Sequence, residues 1–378
     1  MSTPKRVLLV TRPLVPPWDE ASKNFAYFLA KSIRDPEIEF HLLTDHESLA
    51  EMGENVVSHP IYQSGDFDFF AKMRLIAFLA HKGNAFDVVH FLFTPTPLNS
   101  SFLKMLFRNH PHTIQTIATL REERWGIPEW KRMCFATRLI TYTEHSRKML
   151  EEAGYRNVET ISPGIDLERF SPGPKDAVML RALTLTPSDF VVSYAGEYAR
   201  LGATDMIADM LIEKLRGRDP SSERFRFLFA LRVKNQADRE KKESIRKKFE
   251  EAGILDFIRW SDTVSDMPAL YRVADIVTFP VHDLFGKFDV PLVILEAYAS
   301  GKPVILSDLP RFSEFSNPEI CATIPRGDGE AFWNMIERLR HDPEKRNALS
   351  NHARAFVENS FNLSETAEKY RQLYTLAR

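Results

Sequence analysis

Short unbroken apolar runs alternate along this chain with longer stretches whose apolar side chains recur every three or four positions. Val7-Leu-Leu-Val10 is the first such run, and residues 38–43, 86–93, 190–195, 225–231, 276–279 and 303–306 repeat the pattern. Residues that are apolar at consecutive positions suit parallel strands covered on both faces, because successive side chains point to opposite sides of a sheet. Residues 113–119, 139–143 and 257–260 predict further strands. Between the runs the period becomes helical. Phe25, Phe28, Leu29 and Ile33 mark a helix over 22–33, and residues 69–80 predict another. More helices are expected near 203–216, 237–252, 266–273, 291–300 and 329–339. Such alternation predicts an α/β protein with two Rossmann-like halves. Residues 163–174 carry three prolines, two glycines and no period, and are expected to link the halves.

The stretch 285–305 carries the most chemistry. It sets Asp289 and Glu296 seven positions apart, about two helical turns. Pro291 suits a first helical turn, Leu292, Leu295 and Ala299 form an apolar stripe, and Gly301 suits a left-handed cap. A helix N-terminus has free N–H groups and a positive dipole, which suit a phosphate. Glu296, a turn further in, suits sugar hydroxyls.

This stretch resembles the nucleotide-sugar signature of GT-B glycosyltransferases, the retaining group called family 4. There the helix follows Gly-Phe-Gly-x-Pro and carries two glutamates, the later on the nucleotide ribose and the earlier near the donor sugar. Glu296 in Leu-Glu-Ala-Tyr-Ala-Ser-Gly-Lys-Pro-Val matches the later one. The earlier position falls on Phe288, so Asp289 or Lys287 is expected to stand in. Ile140-Thr-Tyr-Thr-Glu-His-Ser, with Val158-Glu-Thr-Ile-Ser-Pro-Gly-Ile-Asp166, resembles the interdomain crossover. Ala274-Asp-Ile-Val-Thr-Phe-Pro280 resembles the strand before the signature, and Phe361-Asn-Leu-Ser-Glu-Thr-Ala resembles the C-terminal helix. The resemblance implies two Rossmann-like domains facing each other across a cleft. Residues 1–165 with a returning helix 362–378 would bind the acceptor. Residues 166–361 would bind the donor.

It further implies donor contacts at Gly196, Arg200, Lys287, Val290, Pro291 and Glu296, and backbone contacts to the base at Thr263 and Val264. The family's diphosphate cations are missing, since Glu197 and Leu201 occupy their places. Arg232 and Lys234, at the end of the run 225–231, are expected to replace them with Arg200; surface cations are the plainer reading. His282 precedes the signature helix and is expected near the donor sugar. Trp18, Lys23, His90 and Arg121 are acceptor-side candidates, although His90 inside an apolar run equally suits a satisfied core histidine. The catalytic set is then Arg232, Lys234, Asp289 and His282. No nucleophile and base pair stands out, consistent with transfer in which the leaving phosphate takes the acceptor proton.

Composition narrows the rest. At 378 residues the chain can hold two cores. A net charge of −2 gives no reason to expect nucleic acid. Cys134 and Cys321 are expected as buried thiols, and no metal-ligand spacing occurs. No apolar run is long enough to span a bilayer, and the start carries no signal region, so a cytoplasmic protein is expected. Peripheral membrane contact stays compatible with it, because acceptors of such enzymes are often lipid-linked. The expected reaction moves a sugar from a UDP- or GDP-sugar to a glycan or lipid-linked hydroxyl, with neither metal nor cofactor. A silent binding or scaffold protein is the alternative, as is an epimerase or phosphorylase on the same frame.

Overall fold

The computed structural model describes residues 3–14, 21–45, 52–63, 67–93, 95–262, 266–284 and 287–376. The chain divides into two compact units. One is Met1–Gly164 with Gly286–Val290 and Leu363–Arg378; the other is Ile165–Phe285 with Pro291–Asn362.

The first unit runs β1 (Lys5–Val10), α1 (Ala21–Ser32), β2 (Ile38–Thr44), β3 (Val56–Pro60), α2 (Phe69–Lys82), β4 (Val88–Phe91), α3 (Pro97–Leu106), β5 (Thr113–Ile117), α4 (Ile127–Met133), β6 (Arg138–Thr141), α5 (Glu144–Glu152) and β7 (Val158–Thr160). Its strands form one parallel sheet in the order β3-β2-β1-β4-β5-β6-β7. The apolar run of β1 explains the layering. Val7 and Leu9 pack on one face with Phe25 and Leu29 of α1. Leu8 and Val10 pack on the other face with Ala71, Leu79 and Leu103 of α2 and α3. Strand β3 is absent from the expectations, because Val56–Pro60 is only half-buried and has no apolar run.

The second unit runs α6 (Ala177–Ala182), β8 (Phe190–Gly196), α7 (Ala203–Leu215), β9 (Phe225–Leu231), α8 (Gln236–Glu251), β10 (Ile258–Ser261), α9 (Met267–Val273), β11 (Ile276–Phe279), α10 (Leu292–Ala299), β12 (Val304–Ser307), β13 (Ala322–Ile324), α11 (Gly329–His341) and α12 (Pro343–Ser360). The sheet is again parallel, in the order β10-β9-β8-β11-β12-β13. Strand β8 therefore pairs with β9 on one side and β11 on the other. The strand order reverses there, and ligands of open α/β sheets bind outside the carboxyl ends of strands at such a point. The unit also closes on itself, since Ile165 bridges Asn362 and its N–H donates to Phe361 O at 2.7 Å.

The last helix, α13 (Leu363–Thr375), belongs to the first unit. Its Ala367, Tyr370, Leu373 and Tyr374 complete the face of the sheet that carries Val7 and Leu9. Both cysteines are buried free thiols, and burial pushes the Cys134 thiol up to about 12. Among the described residues no helix is long and apolar enough to cross a membrane, and no group of three or more metal-ligating side chains gathers.

Candidate functional site

The turn leaving β8 lies at the switch point of the second unit. A side chain at Gly196 would meet the Tyr194 ring at 2.5 Å, so glycine lets the backbone cross it. The next residues are pinned. Thr204 Oγ1 donates to Glu197 O at 3.2 Å and to Tyr198 O at 2.8 Å, and Tyr194 Oη donates to Glu197 O at 3.4 Å. Gly202 has φ +75°, caps α7, and leaves the α7 N-terminus bare of any side-chain cap.

Glu197 is the hub of this turn. It is 6% exposed. Arg200 donates to it twice, Nε to Oε2 at 2.8 Å and Nη2 to Oε1 at 3.0 Å. Lys234 Nζ donates to Oε1 at 2.9 Å. The carboxylate is buried, while the two cations stay roughly 40% open to solvent. Two cations on one carboxylate leave a net positive surface at the ends of β8 and β9, with the guanidinium oriented for bidentate work. Arg200 and Lys234 converge on Glu197, a partner the sequence reading did not foresee. Arg232 and Lys234 do not continue the strand. Strand β9 stops at Leu231, so both lie beyond it, Arg232 half-buried.

The loop after β11 meets the same turn. His282 N donates to Leu201 O at 2.9 Å. Its ring sits against Gly202, where a side chain would approach Nδ1 to 2.8 Å, and against Gly327, where one would lie 3.6 Å from Nε2. Nε2 is buried and has no hydrogen-bond partner among the described residues.

Helix α10 follows, starting at Leu292 with Pro291 as its N-cap. Glu296 is half-buried, and Tyr271 Oη donates to its Oε2 at 2.9 Å and to Val293 O at 3.2 Å. Burial pushes the Glu296 carboxyl above its ordinary range; the Tyr271 hydroxyl and the Arg169 charge oppose the shift. Tyr271, on α9, had no signal in the sequence. A buried carboxylate fixed through one oxygen is suited to hydroxyl donors at the other.

Asp289 is held by the other unit. It belongs to the first unit, not to the unit that carries Glu296. Its Oδ2 accepts from Ser146 Oγ at 2.6 Å and from Leu120 N at 3.3 Å, and its own N–H donates to Ala118 O at 2.9 Å. It is 5% exposed, so these donors are what make its burial tolerable. The carboxylate anchors residues 287–290 on the first unit through Oδ2. Phe288 packs edge-on to Tyr142 beside it, Val290 is buried, and Lys287 is half-buried in the same segment.

His90 is a correction. It is fully buried, Nδ1 lying 2.7 Å from Tyr374 Oη and Nε2 2.7 Å from Thr116 Oγ1. Burial holds its pKa down at about 3. Both ring nitrogens serve the core, and the acceptor role is withdrawn. Lys23 is buried on α1. Arg121 has φ +51°, a strained conformation for a non-glycine residue. Trp18, Thr263 and Val264 lie outside the described residues.

Comparison with known proteins bears on the family and the fold. Residues 189–342 match the model described as Glycosyl transferases group 1, and residues 23–169 match Glycosyltransferase Family 4. The D-inositol 3-phosphate glycosyltransferase of Saccharomonospora viridis is 31% identical over 63% of this chain and 55% of that protein. The chain thus spans about half the length of the curated relatives it matches. Among solved structures, a glycosyltransferase from Rickettsia africae has a TM-score of 0.78 at 14% identity, covering 100% of this chain and 99% of that one. Anabaena HepE, in complex with UDP and glucose, has a TM-score of 0.76 at 15% identity, covering 98% and 99%. This likeness bears out the expected GT-B fold. Two family matches that together span most of residues 23–342, on that fold, show that the chain belongs to the family 4, group 1 glycosyltransferases.

Proposed function

We propose that the protein transfers a sugar from a nucleoside-diphosphate sugar to an acceptor hydroxyl, with retention of anomeric configuration and without a metal. The observation that carries this reading is the joint placement, in one unit, of a Tyr271-held carboxylate and a cation pair at the sheet's switch point. Glu296 takes the ribose hydroxyls. Arg200 and Lys234, with Arg232 just past β9, face the diphosphate. As the bond between the anomeric carbon and the phosphate oxygen breaks, negative charge grows on that oxygen, and fixed cations stabilise it. The acceptor oxygen forms the new bond on the same face and gives its proton to the leaving phosphate. The first unit takes the acceptor, a glycan or lipid-linked hydroxyl. HepE is described in complex with UDP and glucose, which favours a UDP-sugar over a GDP-sugar here.

A thermal-shift titration with UDP, GDP and ADP, on the parent and on Glu296→Ala, tests the donor site. One nucleotide is expected to raise the melting point of the parent and leave the variant unmoved. The product's anomeric configuration by NMR, with and without EDTA, then tests retention and metal independence. A second reading, a silent nucleotide-binding protein, is favoured by the Glu197 carboxylate among the cations. It predicts nucleotide binding with no sugar turnover.

A further inference from the structure

Helix α2 is apolar on both sides, and only one side is covered. Ala71 and Leu79 are buried against the first unit's core, with Leu75 and Phe78 half-buried beside them. On the opposite side, Phe69 is 68% exposed, Phe70 65% and Met73 48%. At a helical pitch of 3.6, Phe69, Met73 and Ile76 line up along one outward stripe with Phe70 at its edge. A contiguous outward cluster of this kind, unlike single exposed apolar residues, marks an interaction surface.

Charge identifies the partner. Within Phe69–Lys82 every charged side chain is basic, and there is no carboxylate. On the helical wheel Lys72 falls on one border of the stripe and Arg74 on the other. Two cations flanking an apolar stripe match the boundary of an anionic bilayer, where aromatic rings enter the acyl edge and basic groups meet phosphate. A protein partner would face the same stripe with no carboxylate to match on α2. The helix is 14 residues long, about 21 Å, short of the ~30 Å hydrocarbon core, so it would lie in the interface plane.

We infer that the outward face of α2 docks the first unit on an anionic lipid surface, Phe69, Phe70 and Met73 entering the acyl boundary and Lys72 and Arg74 contacting headgroup phosphates. The inference is independent of which donor the second unit takes.

Flotation of the full chain with phosphatidylcholine vesicles, and with vesicles of phosphatidylcholine and phosphatidylglycerol mixed roughly 7:3, tests it. Binding is expected to the mixed vesicles, weakly or not at all to the neutral ones, and to fall as salt rises. Phe69→Ser with Phe70→Ser is expected to lose about tenfold or more. Lys72→Gln with Arg74→Gln, which leaves the apolar stripe whole, is expected to lose on the order of tenfold at low salt. Phe69 and Phe70 are exposed, and Lys72 gives up only its cation–π contact with Phe67 at 5.6 Å, so the melting point of the Phe variant should stay with the parent's and that of the Lys72 and Arg74 variant should fall little. No binding to anionic vesicles overturns the inference. So does binding by both variants that equals the parent's. A concentration-dependent dimer in light scattering, abolished by Phe69→Ser with Phe70→Ser and without vesicle binding, would assign the face to a second copy of the chain instead.

Discussion

Glu197 Oε1 accepts from Lys234 Nζ at 2.9 Å, across 37 residues of sequence, while the same carboxylate takes a two-pronged pair from Arg200. The buried partner is the anion and the exposed partners are the cations. Glu197 therefore works as a mount for two basic groups whose other faces look to solvent. The place where relatives are expected to carry a cation holds the anion that organises two others.

Removing that mount should cost stability modestly. The cations are too exposed for the larger penalty of a broken buried pair, so Glu197→Gln is expected to lose about 1 kcal/mol. In a unit of this size that is a fall in melting point of about 2–4 °C. An unchanged melting point would show that the turn holds without it.

The cations themselves should matter to rate more than to folding. Lys234→Ala and Arg200→Ala are each expected to lower sugar transfer on the order of 10²-fold. Because both act through Glu197, the double variant should lose less than the product of the single losses. Initial rates with the nucleotide sugar identified by thermal shift measure this.

Glu296 should show a trade between stability and binding. Burial raises its pKa above the unfolded value, so the folded state binds the proton more tightly than the unfolded state. Its contribution to stability is thus least favourable at neutral pH, recovers as pH falls through the raised folded pKa, and is complete below the ordinary carboxylate value. Glu296→Gln is expected to melt higher than the parent at pH 7, by about 2 °C, with the gap closing in acid. The same variant should lose nucleotide binding. Nucleotide affinity of the parent should weaken with falling pH earlier than an ordinary glutamate would cause.

His90 gives the opposite sign. Its folded pKa of about 3 lies below the ordinary 6.5, so its contribution is fully present above 6.5 and is lost as pH falls toward 3. Between those limits it should add a slope of about 1.4 kcal/mol per pH unit to urea-unfolding stability. His59, whose pKa burial and His41 lower to about 4, adds a similar slope over a narrower window. In His90→Asn the His90 part should vanish, and the total stability should be lower at neutral pH because Tyr374 and Thr116 lose their partner.

Much of the fold was legible because buried parallel strands leave unbroken apolar runs. Phe225–Leu231 and Ile276–Phe279 were readable to the residue. Helix α10 was readable from Pro291 at its start and Gly301 past its end. Strand β3 has neither run nor alternation, and the charge-rich α12 masks the small apolar set, Leu349, Ala353 and Val357, that it buries. The site was legible only where one residue carries its own signal, as Glu296 does. The anchoring of Asp289 was not legible, because its partner Ser146 lies 143 residues away. Glu197 looked like a lost cation because one of its partners, Lys234, comes from a second strand end. His90 sits in an apolar run that fits core and site equally, and only Tyr374, 284 residues on, decides between them.

Helix α13 has a consequence for synthesis. The first unit's sheet face carrying Val7 and Leu9 is closed by Tyr370 and Tyr374, which leave the ribosome after the whole of the second unit. The second unit meets at its own ends, Ile165 with Asn362, and needs nothing that follows. The half that is begun first is therefore finished last. It waits with one apolar face open to water while the other half can already settle.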